Sequence, residues 1–263
     1  MNPTALITGA SSGIGLELAK TFARNQHNLI LVARSEDKLH TLQAELASQH
    51  GIQATVLSHD LTDPKAPQQL FDQVQQNGLT VDVLVNNAGY GDYGEFASSD
   101  WEKLQGMILL NVLALTHISR LFLPAMIQRA SGKVLNVSST AAFQPGPMMA
   151  VYFATKAYVL SFSEAIAAET EDQGIQVTVL CPGPTQSSFI DNANMDKMAL
   201  ANSSTTDKIP TAAEVAQFGY DALTRGQVVA VHGLTNQLMA FSSRLAPRSL
   251  IRKGVKKFMA PQP

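Results

Sequence analysis

In the stretch VYFATKAYVLSFSEAIAAE, which begins at Val151, Tyr152 stands four residues before Lys156. The run contains neither Gly nor Pro and reads as a helix, so both side chains lie on one face, one turn apart. A free phenol titrates near ~10 and exchanges protons poorly at neutral pH. An ammonium one turn away favours the phenolate and lowers that value, which suits the pair to proton transfer at a substrate oxygen. Spacing alone is weak support, because a Tyr and a Lys can share a helical face by chance. Other residues must give the pair its meaning.

Several stretches do. TGASSGIG sets Gly9, Gly13 and Gly15 at G-x-x-x-G-x-G spacing, with Ser11, Ser12 and Ile14 among them. Glycines let the backbone turn tightly and approach a phosphate, and the following helix offers unpaired N–H groups and its positive dipole end. The alternative is an ordinary glycine-rich turn, and a P-loop is unsupported because no Gly-Lys-Ser/Thr follows. In VARSEDKL, the place where a dinucleotide-binding domain carries an acid for the ribose diol holds Ala33 and then Arg34. A guanidinium pairs with a 2′-phosphate that an acid would repel, so NADP(H) is favoured over NAD(H), with a solvated surface arginine as the alternative. SHDLTD presents Asp60 and Leu61; Asp60 either accepts from an adenine amino group or caps the next helix. NNAG (Asn86 to Gly89, with Asn87 and Ala88 inside it), NVSST (with Ser138 and Ser139) and CPGPTQSS complete the set.

Each of these follows a strand candidate. TALIT, NLILVA, QATVLS, VDVLVNN, GKVLNVSS, IQVTVLC and QVVAVHG are short and β-rich, and several are apolar at nearly every position, as parallel strands covered on both faces should be. Helical patterns lie between them, including Gly13 to Asn25, Glu36 to Gln49, Trp101 to Arg129 and Tyr152 to Asp172. The expectation is an α/β fold: a Rossmann-type, doubly wound, mostly parallel seven-stranded sheet with helices on both faces. It spans residues 1 to 233, with residues 234–263 as a basic, apolar helical extension of the same domain. Ligands in such sheets bind beyond the carboxyl ends of the strands, where the motifs above fall.

In this order the motifs resemble the short-chain dehydrogenase/reductase family in its single-domain form, over nearly the whole chain up to Gly233. TGASSGIG is similar to the family's cofactor loop and NNAG to its motif after the fourth strand. The resemblance implies that Asn111 in LLNVLAL is the structural and proton-relay asparagine, holding a water that resupplies protons through Lys156. Ser139, Tyr152 and Lys156 match the catalytic serine, tyrosine and lysine. Ser139 rather than Ser138 is chosen because it lies thirteen residues before Tyr152, the family's spacing. The implied cofactor-binding set is Gly9, Ser11, Ser12, Gly13, Ile14, Gly15, Arg34, Asp60, Leu61, Asn87, Ala88, Gly89, Tyr152, Lys156, Pro182, Gly183, Thr185 and Ser187. Two departures stand out: Ser187 where the family commonly has Thr, and Ser12 where some NADP-using members carry a second basic residue. The resemblance implies reduction of a ketone or aldehyde, or the reverse oxidation, by an enzyme that is commonly a dimer or tetramer. A sensor that binds nucleotide without turnover is the competing class, and the intact Ser139, Tyr152, Lys156 and Asn111 set argues against it.

Composition narrows the rest. A net charge of −2 over 263 residues gives no general affinity for nucleic acid, and the single cysteine, Cys181, allows neither an internal disulfide nor a C-x-x-C metal or redox pair. The six histidines show no metal-ligand spacing, so no metal is expected, and Ser139 lacks the G-x-S-x-G setting of a hydrolase nucleophile. MNPTALITGASSGIG resembles neither a secretory signal nor a transit peptide, and no apolar stretch approaches the ~20 residues of a membrane span, so a cytoplasmic location is expected. Tyr90, Tyr93, Phe96, Phe143, Met148, Met149, Phe189 and Met195 suggest a lipophilic carbonyl or alcohol substrate, and Thr185 to Ile209 a lid over it. From Ala222 onward there are seven Lys or Arg and no Asp or Glu, interleaved with Leu238, Phe241, Leu245, Ile251, Val255 and Phe258. The simpler reading of this tail is a solvated basic face over a packed helix pair or a subunit contact. A membrane surface or acidic partner is the other.

Overall fold

The computed structural model describes residues 2–187, Phe189, Ala193 and 209–259, the side chain of Arg244 excepted. Seven strands form one sheet: β1 (Thr4–Thr8), β2 (Asn28–Ala33), β3 (Ala54–Ser58), β4 (Val83–Asn86), β5 (Gly132–Val137), β6 (Ile175–Cys181) and β7 (Val229–Val231). Their order is β3-β2-β1-β4-β5-β6-β7, and every neighbouring pair is parallel. Among the described residues the helices are α1 (Gly13–Arg24), α2 (Glu36–His50), α3 (Ala66–Gln76), α4 (Trp101–Ile108), α5 (Leu115–Gln128), α6 (Ala150–Thr170), α7 (Ala212–Thr224), α8 (Leu234–Leu245) and α9 (Arg248–Phe258).

The apolar strands are apolar because helices cover both faces. In β1, Ala5 and Ile7 pack with Leu18 of α1, Leu39 of α2 and Val215 of α7, whereas Leu6, between them, packs with Leu70 of α3, Phe122 of α5 and Ile166 of α6. Leu29 to Val32 of β2 are at most 1% exposed. Each such Leu or Ile contributes about 1.5–3 kcal/mol of burial. The order reverses between β1 and β4, which are neighbours in the sheet, and the crevice beyond their carboxyl ends is where a doubly wound sheet takes a ligand.

The helix expected over Trp101 to Arg129 is present but not uniform. Between α4 and α5, Leu109–Ala114 forms a π-helical turn that carries Asn111. Wider turns of this kind re-aim a side chain and recur at functional sites. Against the expectation of no such stretch, Trp101–Gln128 is long and apolar enough by length and composition to cross a membrane. Here Met107, Ile118, Phe122 and Met126 are buried in the protein, with Ile118, Phe122 and Met126 in the core beneath the sheet.

Candidate active site

The backbone builds the crevice first. Gly9 has φ +69°, which an L side chain rarely adopts. At Gly15 a Cβ would lie 2.2 Å from the Gly9 carbonyl oxygen, so any side chain there would break the turn. The turn is braced from across the sheet: the N–H groups of Asn87 and Ala88 both donate to Thr8 Oγ1 at 3.0 Å, and Asn87 Nδ2 donates to the carbonyls of Thr8 (3.0 Å) and Gly9 (3.3 Å). Asn86, one residue earlier, is buried in the sheet and donates to Ser119 Oγ and Asn136 Oδ1. Alternation along the strand thus separates a core asparagine from one that shapes the loop.

A cavity of about 1490 Å³ runs along this edge. Small-molecule sites commonly occupy ~300–1,000 Å³, so there is room for two ligands side by side. The residues anticipated from sequence line it with two exceptions: Gly15, which packs beneath the loop, and Asn111. At one end Ser12 caps α1 without spending its hydroxyl on the helix, and Arg34 stands with its side chain 75% exposed, its Nη1 4.0 Å from Asp60 Oδ2. Asp60 Oδ1 accepts from the N–H (3.0 Å) and hydroxyl (2.8 Å) of Thr62. Burial raises the Asp60 pKa, but these hydrogen bonds and the Arg34 charge outweigh it and hold the carboxyl below its usual range.

At the other end lies the pair that the sequence offers for proton transfer. Tyr152 and Lys156 are 9% and 5% exposed on α6, and the Lys156 ammonium sits 5.8 Å from the centre of the phenol ring. Burial pushes the phenol up to about 12, with the Ser139 hydroxyl bond pulling it partly back, and pushes the ammonium down to about 8. The expectation that Lys156 lowers the phenol's pKa is therefore corrected. Desolvation dominates both groups, and the ammonium donates instead to the Val137 carbonyl at 2.9 Å. Ser139 accepts from the Ala141 N–H at 3.1 Å and lines the cavity beside Tyr152, whereas Ser138 donates to the Lys156 carbonyl at 2.8 Å and is 2% exposed. Asn111 Oδ1 accepts from the Tyr90 N–H (3.1 Å), while Nδ2 donates to the Tyr90 carbonyl (2.9 Å) and Thr155 Oγ1 (3.1 Å). Its amide is fully engaged in tying the loop after β4 to α6, so the side chain positions the site and does not reach into the cavity. The Cys181 thiol, wholly buried, is pushed up to about 12 by burial and is no nucleophile.

Of the apolar residues assigned to the substrate side, Tyr90, Met149 and Phe189 line the cavity, and the Phe189 ring lies 5.4 Å from that of Tyr152. Phe96 is 63% exposed, and Phe143 packs beside Leu115 and Val159 in a separate cluster. Tyr93 is buried behind the wall, with Met148 packed against the same cluster, and its hydroxyl donates to the Met259 carbonyl at 2.7 Å. Met195 and most of the stretch 185–209 lie outside the described residues. Sequence reasoning missed the tail's part in the site. Asn236 and Met239 of α8, with Val255 and Phe258 of α9 and Met259 after it, line the same cavity as Tyr152. The signal that could have found them was the apolar spacing of Ile251, Val255 and Phe258 on one face of α9.

Residues 3–198 match the family model described as short chain dehydrogenase. The chain is 34% identical over 201 residues to a very-long-chain 3-oxoacyl-CoA reductase of Anas platyrhynchos, covering 73% of this chain and 64% of that protein. It is 34% identical over 181 residues to the ketoacyl reductase HetN of Nostoc sp., covering 68% and 62%. The alignments thus span less than two-thirds of either relative's length. A solved short-chain dehydrogenase from Sphingobium yanoikuyae, in complex with NADPH, superimposes with a TM-score of 0.81 at 30% identity, over 97% of this chain and 95% of that one. Family match and shared fold agree, and this chain belongs to the short-chain dehydrogenase family.

Proposed function

We propose that the chain is an NADP-dependent reductase of a lipophilic ketone or aldehyde, with Tyr152 as the proton donor. The observation that carries this reading is the continuity of one cavity from the glycine loop and Arg34 to Tyr152, Ser139 and Lys156. The residues present fit a dinucleotide. Gly9 and Gly13 hold the turn at positive φ beside the N-terminus of α1, and Arg34, 75% exposed and 4.0 Å from Asp60, is within the same cavity to meet a 2′-phosphate. The NADPH held by the Sphingobium relative supports the same choice.

A nicotinamide bound along this edge supplies the hydride. The chain's own residues supply the rest. With its pKa near 12, the phenol of Tyr152 carries its proton at neutral pH and can give it to a carbonyl oxygen as negative charge develops there. Ser139, bonded to the same phenol, donates to that oxygen and orients it. Lys156, still charged below about pH 8, stabilises the phenolate left behind. Asn111 holds the Tyr90 loop and α6 in register. A wall of Met149, Phe153, Phe189, Val255 and Met259 favours an apolar substrate, in keeping with the acyl substrates in the relatives' names.

The test is NADPH oxidation over a panel of medium- and long-chain ketones and 3-oxoacyl thioesters. Turnover is expected, with Tyr152→Phe lowering kcat by about 10²–10⁴-fold and leaving NADPH affinity within about twofold. Unchanged turnover in that variant would refute the assignment of Tyr152.

A further inference from the structure

Helix α8 carries its large apolar residues on the wrong side for a soluble domain. Leu234, Leu238, Phe241 and Leu245 follow one another at helical spacing along a single stripe, and they are 78%, 70%, 61% and 73% exposed. The opposite face, which meets the protein, is small or polar apart from Met239 at the cavity: Asn236 donates to the His232 carbonyl at 2.7 Å, and Ala240 is 7% exposed. An amphipathic helix normally turns its apolar stripe to the core. Contiguous exposed apolar surface of this sort marks a contact with something else.

Charge identifies the partner. Arg248, Arg252, Lys253, Lys256 and Lys257 of α9, which follows directly, are all exposed. The chain from Ala222 onward has no Asp or Glu to pair with them. Leu250 and Phe258 of α9 add further exposed apolar surface, at 60% and 56%. A two-fold contact with a second copy would set these basic helices against each other with no carboxylate in the segment to neutralise them. An anionic lipid surface matches both features, since it takes apolar side chains below its headgroups and cations at them.

We infer that α8 and α9 form a docking surface for anionic membranes. The same two helices line the cavity, through Asn236 and Met239 of α8 and Val255 and Phe258 of α9. A docked molecule therefore holds its cavity beside the lipid, where an apolar carbonyl compound would be concentrated. That last step rests on the proposed lipophilic substrate; the docking itself does not.

The test is sedimentation of the full chain with vesicles of equal parts phosphatidylglycerol and phosphatidylcholine, or of phosphatidylcholine alone. Binding is expected to be at least about tenfold stronger to the anionic vesicles, and to fall in 1 M salt, where the screening length shrinks from about 10 to about 3 Å. Leu238→Glu with Phe241→Glu should abolish binding to both vesicle types. Lys253→Glu with Lys256→Glu should remove only the preference for anionic lipid. None of these four residues touches the cavity, so reduction of a water-soluble ketone by the variants stays unchanged, and that rate also reports that they fold. The proposal is overturned if the wild-type chain ignores anionic vesicles. It is equally overturned if the chain forms a dimer that Phe241→Glu dissociates while vesicle binding persists, because the stripe then belongs to a second copy.

Discussion

Lys156 pays for its place in the site with stability, and the cost can be measured through its pH dependence. Its ammonium is 5% exposed, and burial holds its pKa near 8 against an ordinary value of 10.5. That displacement corresponds to about 3 kcal/mol, at about 1.4 kcal/mol per pH unit. Between about pH 8 and 10.5 the unfolded chain keeps a proton that the native chain has lost, so the native state gains stability as pH rises. Over pH 7 to 10 the gain is about 2–3 kcal/mol. Lys156→Met removes it. The same substitution strips the Val137 carbonyl of its donor, which costs about 1–3 kcal/mol, but that cost does not change with pH. The measurement is therefore the difference in urea unfolding free energy between wild type and variant at pH 7, 8, 9 and 10. The Cys181 thiol, raised to about 12, acts in the opposite sense but is present in both proteins, and the Tyr152 phenol contributes only above pH 10. A difference that climbs toward wild type by about 2–3 kcal/mol is expected. A flat difference, within about 0.5 kcal/mol, would refute the claim that this ammonium is held in the protein at a desolvation cost.

Other outcomes follow from the same geometry. The kcat/KM for carbonyl reduction should fall as pH rises through about 8, where Lys156 loses its charge, and a rate that is level from pH 7 to 10 would exclude its role. Arg34→Glu should raise the KM for NADPH by about tenfold or more and leave that for NADH little changed, in steady-state assays with each cofactor. Gly15→Ala should lose about 1–3 kcal/mol of stability together with NADPH binding, read by unfolding and by fluorescence titration, because its Cβ would lie 2.2 Å from the Gly9 carbonyl oxygen.

Most of the architecture was legible because parallel strands covered on both faces leave an unbroken apolar run. TALIT, NLILVA and IQVTVLC coincide with β1, β2 and β6 residue for residue. The positions of the site residues were legible for a related reason, since their motifs fall where strands end. What was illegible depended on tertiary context. Nothing in LLNVLAL announces the π-helical turn that directs Asn111 to Tyr90 and Thr155. The Tyr152 and Lys156 spacing gave their shared face but not how deeply it is buried, and depth decides the direction of both pKa shifts. In α8, spacing revealed a stripe but not which way it faces. Helical periodicity says which residues sit together and is silent on whether their neighbour is the protein's own core.

The brace between Thr8 and Asn87 has a consequence for how the molecule is made. These residues are 79 positions apart in the chain, and their bonds fix the turn that lines the cavity. A nascent chain that has completed β1, α1 and β2 holds every glycine of the loop yet lacks the strand that pins it. Nucleotide affinity should therefore arise only after β4 has slotted in beside β1. Long-range parallel pairing of this kind is slow to form, so a stalled or truncated chain would expose the first strand's open edge before it could gain any protection from a bound cofactor.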